Sequence, residues 1–127
     1  MRYLLDTHVI IWMVEDSPNL PLAIREIIKN PENQVAICSI SLWEIAIKMN
    51  IGKLTLSLTF DELVDILRNG DFDFVQVEDE YLSCLSKLPL LHKDPFDRLL
   101  ISTAIVEKMT FITIDENIQK YDVPWVW

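Results

Sequence analysis

Three short apolar runs constrain the fold of this chain more than any other feature of its sequence. They are YLLD at 3–6, QVAICS at 34–39 and TFITID at 110–115. Because apolar runs of this length without alternation are typical of strands buried on both faces, they predict a parallel sheet. Segments with helical spacing separate the runs, so the sequence predicts an α/β fold with helices on both faces of a central parallel sheet.

Helical periodicity and capping residues predict the remaining elements. Ser41 with Glu44, and Thr59 with Glu62, have the spacing of capping boxes at helix starts. Helices are predicted in NLPLAIREIIKNP, SLWEIAIKMNIG, TFDELVDILRNG, DEYLSCLSKL, DPFDRLLISTAIVEKM and ENIQKY. The segment MRYLLDTHVIIWMVEDSP is interpreted as a first strand ending at Asp6, and further strands are predicted in FDFVQV and VPWVW.

The sequence predicts one domain over residues 1–127, because neither a repeat nor a linker divides it. Half of the residues are hydrophobic, which is enough for a core. No apolar stretch reaches the roughly 18 residues that span a membrane, and no cleavage site follows the N-terminal apolar run. We therefore expect a cytoplasmic protein with no membrane partner. Cys38 and Cys84 lie in apolar surroundings, which predicts buried free thiols.

The formal net charge of −9 argues against a simple nucleic-acid binder, which usually presents a broad basic face. It leaves two other interpretations open. Some carboxylates are candidates to hold a divalent cation. The protein as a whole is also suited to pairing with a basic partner.

Four acids are predicted to converge on one edge of the sheet. Asp6 and Asp115 end two of the apolar runs, and Glu44 is expected in the first turn of the helix after the strand VAICS. Asp97 is expected in the first turn of the helix that starts at Pro95. Ligands of open α/β sheets bind outside the carboxyl ends of the strands, which is where three of these acids fall.

Asp97 occupies an unusual position for a helix-start acid. It shares a helical face with Leu100, Ile101 and Ala104, so its side chain continues an apolar stripe that should face the core. A solvated acid of the first turn would normally lie on the other side. The spacing therefore predicts that Asp97 points inward, towards the other acids.

Each acid also has a purely structural interpretation. Asp6 suits a turn after the first strand, Glu44 the second half of a capping box, and Asp115 the N-cap of a short helix. Asp97 suits the acid preferred in a first helical turn. Asp94 precedes Pro95 and is best explained as an N-cap, with metal contact as a lesser alternative.

Four neighbouring carboxylates cannot all ionise without compensation, because like charges raise each other's pKa. A bound divalent cation would relieve this repulsion, and sites rich in oxygen suit Mg²⁺ or Mn²⁺. Such ions activate water and stabilise the charge that develops on a phosphate during displacement. The pattern is thus suited to metal-assisted chemistry on an anionic substrate such as a phosphate.

Four segments in order, RYLLDTHVIIW, SISLWEIAIK, HKDPFDRLLISTA and FITIDENI, resemble the PIN-domain ribonucleases, particularly the VapC-type toxins of toxin–antitoxin pairs. The resemblance implies a three-layer α/β/α fold with a central parallel sheet. It implies Mg²⁺- or Mn²⁺-dependent endonucleolytic cleavage of RNA, often tRNA or rRNA. Carried over by motif, the catalytic and metal-binding residues are Asp6, Glu44, Asp97 and Asp115, with Asp94 as an added acid near the site.

The resemblance also implies contacts around the acids. Thr7, Ser39 and Thr113 match small hydroxyl positions beside the acids, and we take Thr7 and Thr113 as substrate-side candidates. Arg98 is a candidate to contact phosphate or a neighbouring acid, with a surface salt bridge as the alternative. His92 suits a loop position or a substrate contact better than a metal ligand, because the acids already suffice.

Partners follow from the same resemblance. VapC-type toxins are usually held inactive by a cognate antitoxin, whose segment along the groove often offers an arginine to the acids, and they commonly form homodimers. The terminal YDVPWVW is suited either to a dimer interface or to completing the core. For the RNA substrate, Lys48, Lys53, Lys93 and Arg98 lie in or near the motif segments, where they would form a local basic rim.

Three other functions have some support in the sequence. A phosphatase of the haloacid dehalogenase type needs a second aspartate at position 8, where this chain has His8. A receiver-like signalling domain needs paired acids near the N-terminus and a late lysine after a strand, and both are missing here. A non-catalytic PIN-like binding module that sequesters a protein or RNA partner remains the alternative, although four intact acids argue against it.

Overall fold

Five parallel strands form the centre of the computed structural model, which describes residues 1–127. The strands lie side by side in the order β3-β2-β1-β4-β5, and every neighbouring pair is parallel. Their bounds are β1 Arg2–Leu5, β2 Gln34–Cys38, β3 Asp73–Val75, β4 Thr110–Ile112 and β5 Trp125–Val126. The predicted parallel sheet is confirmed.

Seven helices cover both faces of the sheet. They are α1 Thr7–Val14, α2 Leu22–Lys29, α3 Ser39–Asn50, α4 Phe60–Asn69, α5 Asp79–Lys87, α6 Pro95–Glu107 and α7 Glu116–Gln119. Alternate residues of β1 point to opposite faces, so that Leu4 joins one buried cluster while Tyr3 and Leu5 join the other. Helices α5, α6 and α7 contribute to the first cluster, and α1, α2 and α4 to the second. The three-layer α/β/α architecture is therefore confirmed.

Helix α1 is the element that the sequence analysis did not predict. The first strand ends at Leu5, and the next residues turn directly into α1, with the Asp6 side chain accepting a hydrogen bond from the Thr7 N–H. Helix α1 buries Val9, Ile10 and Ile11. A continuous apolar run carries no period that would distinguish a strand from a buried helix, which explains why this boundary was missed.

Capping was predicted correctly at two helices and wrongly at a third. Thr59 and Glu62 form the capping box of α4, and Asp94 caps α6. The capping box of Ser41 and Glu44 is wrong, because β2 runs straight into α3 at Ser39 and no side chain caps that helix. Glu44 therefore lies in the second turn of α3 rather than the first.

Several smaller predictions can also be compared with the structure. Both cysteines are free thiols, Cys38 buried and Cys84 half-buried. Burial raises the pKa of Cys38, as expected for an unreactive core thiol. Helix α3 is followed by Gly52, whose φ of 76° lies in the left-handed region that favours glycine after a helix. None of the helices combines the length and apolar character needed to span a membrane.

Candidate active site

The strand order places a crevice between β1 and β4. From β1 the chain proceeds to β2 and β3 on one side, and β4 and β5 lie on the other, so the winding reverses at this point. Asp6 follows β1, and Thr113 follows β4. The Thr113 hydroxyl donates a hydrogen bond of 2.7 Å to Oδ2 of Asp6. These side chains therefore meet where open α/β sheets bind their ligands.

Asp6 is buried and firmly oriented at this crevice. Its Oδ1 accepts the Thr7 N–H at 2.7 Å, while its Oδ2 accepts the Thr113 hydroxyl. Burial raises the pKa of Asp6 from 3.8 to about 6, and the charge of Asp115 adds to the rise. The hydrogen bonds and nearby His8 oppose this change without cancelling it. Asp6 is therefore a fixed carboxylate with too little positive charge around it.

Glu44 reaches the site from α3 and is held by neighbours on two sides. The Thr7 hydroxyl lies 2.8 Å from Oε1 of Glu44 and 3.0 Å from the Ser41 hydroxyl. A carboxylate only accepts hydrogen bonds, so Thr7 donates to Glu44 and can accept from Ser41. On the other side, Nζ of Lys48 donates to Oε2 at 2.6 Å. Glu44 thus comes with a cation from its own helix.

The ammonium group of Lys48 responds to the acids around it. Its partial burial acts to lower its pKa, but the hydrogen bond and charge of Glu44 outweigh that effect, with further contributions from Asp94 and Asp97. The net result is a raised pKa, so Lys48 remains charged at neutral pH. One lysine in contact with one acid leaves most of the site's negative charge uncompensated.

Asp97 shows most directly that the predicted acids come together. It is only 9% exposed, and it shares its face of α6 with the fully buried Leu100 and Ile101, as its spacing predicted. Burial raises the pKa of Asp97 from 3.8 to about 8. The charges of all the other acids of the site add to this rise, in decreasing order Asp94, Asp6, Asp115 and Glu44. The other four acids are therefore close enough for their charges to raise the pKa of Asp97, and we call these five carboxyl groups the acid cluster.

His92 links Asp97 to a hydrogen-bond centre at Tyr121. The ring Nε2 of His92 lies 3.1 Å from Oδ2 of Asp97, and its Nδ1 lies 2.9 Å from the Tyr121 hydroxyl. That hydroxyl also accepts a hydrogen bond of 2.9 Å from Arg98. The remaining Arg98 contacts are to the backbone carbonyl oxygens of Leu88 and Pro89. Arg98 therefore fixes the segment before α6 and makes no ion pair, and its contact with phosphate stays a prediction.

Asp94 and Asp115 are half-buried helix caps at the margin of the cluster. Oδ1 of Asp94 accepts the N–H groups of Phe96 and Asp97, as expected of an N-cap. Oδ1 of Asp115 accepts the N–H of Asn117, and the Asp115 N–H donates to the Thr113 hydroxyl. Both acids thus serve a structural role and also contribute negative charge to Asp97.

The donor set of this site suits a hard divalent cation. Its candidate ligands are carboxylate oxygens, several of them buried, and the raised pKa values of Asp6 and Asp97 show that they lack positive charge. No three acidic, histidine or cysteine side chains form a ready cage as they stand. Lys48 and Thr7 hold the Glu44 carboxylate, and His92 contacts Asp97, so side-chain rotations would be needed to close such a cage.

Sequence reasoning found the acids and the neighbouring hydroxyls of Thr7 and Thr113, but not the contacts that support the acids. Thr7 and Thr113 are positioned by the fold to hold Glu44 and Asp6, whereas Ser39 simply begins α3. The pairing of Lys48 could have been inferred, because it lies four residues after Glu44 on a helix. Tyr121 gives no signal in the sequence, since its role depends on the packing of the C-terminal segment.

Comparison with known proteins gave one family and a set of structural relatives. A model of the PIN domain family matches residues 3–124. A search of curated proteins by sequence found no significant match. Among solved structures, VapBC2 from Rickettsia felis, bound to a DNA fragment from its promoter, matches with a TM-score of 0.76 and 20% identity, over 99% of this chain and 98% of that chain.

Two further structures show the same likeness. FitAcB from Neisseria gonorrhoeae matches with a TM-score of 0.72 and 18% identity, over 98% of this chain and 96% of that chain. VapBC-1 from nontypeable Haemophilus influenzae matches with a TM-score of 0.67 and 19% identity, over 99% of this chain and 97% of that chain. At these identities the likeness is one of fold.

Proposed function

The chain belongs to the PIN domain family, and from that premise we propose that it is a divalent-metal-dependent endoribonuclease, the toxin of a toxin–antitoxin pair. The observation that carries the proposal is the state of Asp97. Burial, and then the charges of four other acids, raise its pKa to about 8. A stable fold has no need of such a cluster, whereas a site for a divalent cation and a phosphate ester requires it.

The residues of the cluster divide the work of the proposed reaction. Asp6, Glu44 and Asp97 would hold Mg²⁺ or Mn²⁺, with Asp115 completing the shell and Asp94 as an additional candidate. When bound, the ion supplies an activated water and neutralises charge on the phosphate. The Thr113 hydroxyl donates to Asp6 and the Thr7 hydroxyl donates to Glu44, so each hydroxyl holds one carboxylate at the site. Glu44 is best placed to orient the attacking water or accept its proton.

The surface around the site supports the proposal of an antitoxin partner. Trp43 is 58% exposed and packs edge-to-face on Phe96, with ring centroids 5.3 Å apart. Leu90 and Leu91, which precede α6, are also exposed. Exposed apolar groups clustered beside a functional site are typical of a protein interface. The structural relatives include a toxin–antitoxin complex from Klebsiella pneumoniae and VapBC-5 from Mycobacterium tuberculosis, a member of the VapBC family of toxin–antitoxin systems. A basic segment of an antitoxin would complement the acids.

The C-terminal tryptophans support both uses that the sequence left open. Trp127 packs against Trp12, with ring centroids 5.9 Å apart, and so helps to complete the core. Trp125 lies on β5, at the edge of the sheet, and is exposed. We propose that this edge contributes to a homodimer, as the resemblance implies. Light scattering of the wild type and of Trp125→Ala tests this, and an unchanged molar mass in the variant would exclude Trp125 from the interface.

The nuclease proposal is tested by cleavage of RNA with and without Mn²⁺ or Mg²⁺. We expect the wild type to cut only with metal, and Asp6→Asn to lose that activity while keeping its circular dichroism spectrum. Asp65→Asn, which alters an exposed acid of α4, is the matched control and should cut normally. An Asp6→Asn protein with full activity would overturn the proposal.

The alternative function is a non-catalytic PIN-like module that sequesters a protein or RNA partner. Calorimetry separates it from the enzyme. The enzyme should bind Mn²⁺ in the wild type and much more weakly in Asp97→Ala. A wild-type protein that neither binds Mn²⁺ or Mg²⁺ nor cuts RNA in their presence would favour the binding module.

A further inference from the structure

A cleft of about 370 Å³ opens directly beside the acid cluster, between α1 and the end of α3. Thr7 lies on the boundary between the two, because it lines the cleft while its N–H binds Asp6 and its hydroxyl binds Glu44. Lys48 also contacts both the cleft and the acid cluster, since it lines the cleft and donates to Glu44. Any molecule in the cleft therefore lies next to the proposed cutting site.

The ionisable groups that line this cleft are all basic. They are His8, Lys48 and Lys53, and no acid is among the lining residues. This is unexpected in a chain with 20 acids and only 11 lysines and arginines. A second cleft, of about 460 Å³ at the opposite edge of the sheet, is lined by acids and bases together. The cleft beside the cluster is thus suited to an anion, and a basic segment of an antitoxin would be repelled from it.

The position of Lys53 is fixed by the backbone. Gly52 takes the left-handed conformation, which turns the chain back on the end of α3. The Lys53 N–H then donates to the carbonyl oxygen of Lys48 at 2.9 Å. Lys53 forms none of the ion pairs of the structure, so its ammonium group is free to bind a ligand.

Trp12 gives the cleft an aromatic wall. Its ring is half-buried, and its centroid lies 5.9 Å from that of Trp127 and 6.0 Å from that of His8, with both neighbouring rings tilted against it. Proteins that bind single-stranded RNA combine aromatic rings, on which bases stack, with cations that contact the backbone. The cleft holds both features within one small volume.

We propose that this cleft binds one nucleotide of single-stranded RNA next to the bond that is cut, with its base stacked on Trp12 and its phosphate on Lys53. The inference rests on the proposed function, because it names the substrate contact of that same site. His8 contributes a ring nitrogen as a hydrogen-bond partner at the mouth of the cleft. Stacking accepts any base, so the cleft contributes affinity and register more than sequence preference.

The test is fluorescence anisotropy with a short labelled single-stranded RNA. EDTA prevents metal-dependent cleavage, and salt is varied from about 50 to 200 mM to expose phosphate contacts. Lys53→Ala should weaken binding several-fold and lower the slope of log affinity against log salt by about 0.7, the value for one phosphate contact on a single strand. Lys29→Ala removes the same charge from the opposite cleft and should change neither quantity.

The aromatic contact is tested with two variants of Trp12. Trp12→Phe should keep most of the affinity, whereas Trp12→Leu should bind about five-fold or more weakly. Because Trp12 packs on Trp127, thermal unfolding must show that each variant is folded. Lys53→Ala is independent of that packing, so it tests the proposal even if the Trp12 variants are unstable.

Several results would overturn the proposal. One is unchanged affinity in Lys53→Ala, and another is an equal loss in Lys53→Ala and Lys29→Ala. A third is an oligo-glutamate peptide that binds as tightly as RNA with the same dependence on Lys53, which would identify an acidic-peptide site. Cleavage with Mn²⁺ separates this inference from the nuclease proposal. If the wild type cuts RNA but Lys53→Ala binds RNA as tightly as the wild type, only the proposed cleft is contradicted. If RNA affinity depends on Lys53 but the wild type does not cut RNA, only the nuclease proposal is contradicted.

Discussion

The parallel sheet has one cleft beside the carboxyl ends of its strands, here called the carboxyl edge, and another beside their amino ends, the amino edge. The two edges differ in how their charged side chains are compensated. At the carboxyl edge, Asp6 and Asp97 are buried with raised pKa values and Lys48 is the one lysine among them. At the amino edge, the Asp16 side chain is 87% exposed and pairs with Arg25 at 2.7 Å. The acids at the carboxyl edge therefore have few compensating cations, whereas the acid at the amino edge has its own arginine partner.

Arg25 shows how complete the compensation is at the amino edge. Besides Asp16, its guanidinium donates to the backbone carbonyl oxygens of Ser17 and Leu20, which ties the loop after α1 to α2. Asp97 has no arginine or lysine of this kind, and its side-chain partner is the His92 ring at 3.1 Å. The amino edge is thus organised around an ion pair that joins two elements, whereas the carboxyl edge buries acids whose pKa values are raised, as is typical of functional sites.

The largest expected effect comes from Thr113→Val at the carboxyl edge. The valine cannot donate to Asp6 or accept from the Asp115 N–H, so two acids lose their orientation. We expect metal-dependent cleavage to fall about 10- to 100-fold, the usual cost of losing a group that orients metal ligands. Thr103→Val is the control, because it removes a buried hydroxyl of α6 that donates to the Leu99 carbonyl oxygen and contacts none of the acids. Equal cleavage activity in the two variants would contradict the claim that the hydrogen bonds of Thr113 at the carboxyl edge serve activity.

The next effect concerns stability at the amino edge. Arg25→Met removes hydrogen bonds to Asp16, Ser17 and Leu20, and should lower the free energy of unfolding by about 1–3 kcal/mol. Cleavage per folded molecule should not change. Urea unfolding checks the first expectation and Lys29→Met is its control. A loss of activity in folded Arg25→Met would show that the two edges are coupled.

The smallest effect is a gain in stability at the carboxyl edge. Asp97 has a pKa of about 8 in the folded protein and 3.8 as its ordinary value, so the folded state holds a proton that the unfolded state has lost. Stability in EDTA should therefore fall as pH rises from about 4 to 8. Asp97→Asn should remove much of this fall and be more stable than wild type at pH 8 by at least about 1 kcal/mol.

Thermal unfolding across that pH range measures the effect. Asp16→Asn, at the amino edge, should follow the wild-type curve, because its carboxylate is exposed. Asp6 also has a raised pKa, of about 6, so some decline below that pH should persist in the Asp97 variant. An Asp97→Asn protein with the full pH dependence of the wild type would contradict the assigned charge state.

Prediction from the sequence succeeded where a local hydrophobic pattern marks residues that are buried in the structure. The apolar runs marked β1, β2 and β4, and the period of α6 predicted that Asp97 points inward. Because carboxyl ends of parallel strands share one edge, the meeting of the acids followed from topology alone. The same local reasoning failed at α1, where an unbroken apolar run has no period to read.

Several contacts around the site were not predictable, because long-range packing creates them. Tyr121 contacts His92 and Arg98 only after the C-terminal segment returns to α6. Lys53 enters the basic cleft only through the turn at Gly52. Ser41 looked like a helix cap, yet a helix that starts two residues earlier places it beside Thr7.

Proton release on metal binding tests the central claim most directly. At pH 7, a carboxyl group with a pKa of about 8 is mostly protonated, so a metal ion must displace that proton to use Asp97 as a ligand. Titration calorimetry with Mn²⁺ in buffers of different ionisation enthalpy should therefore show release of about one proton by the wild type. Asp16→Asn should release as much. Mn²⁺ binding without proton release, or no binding at all, would contradict the assignment of this acid cluster as a metal site.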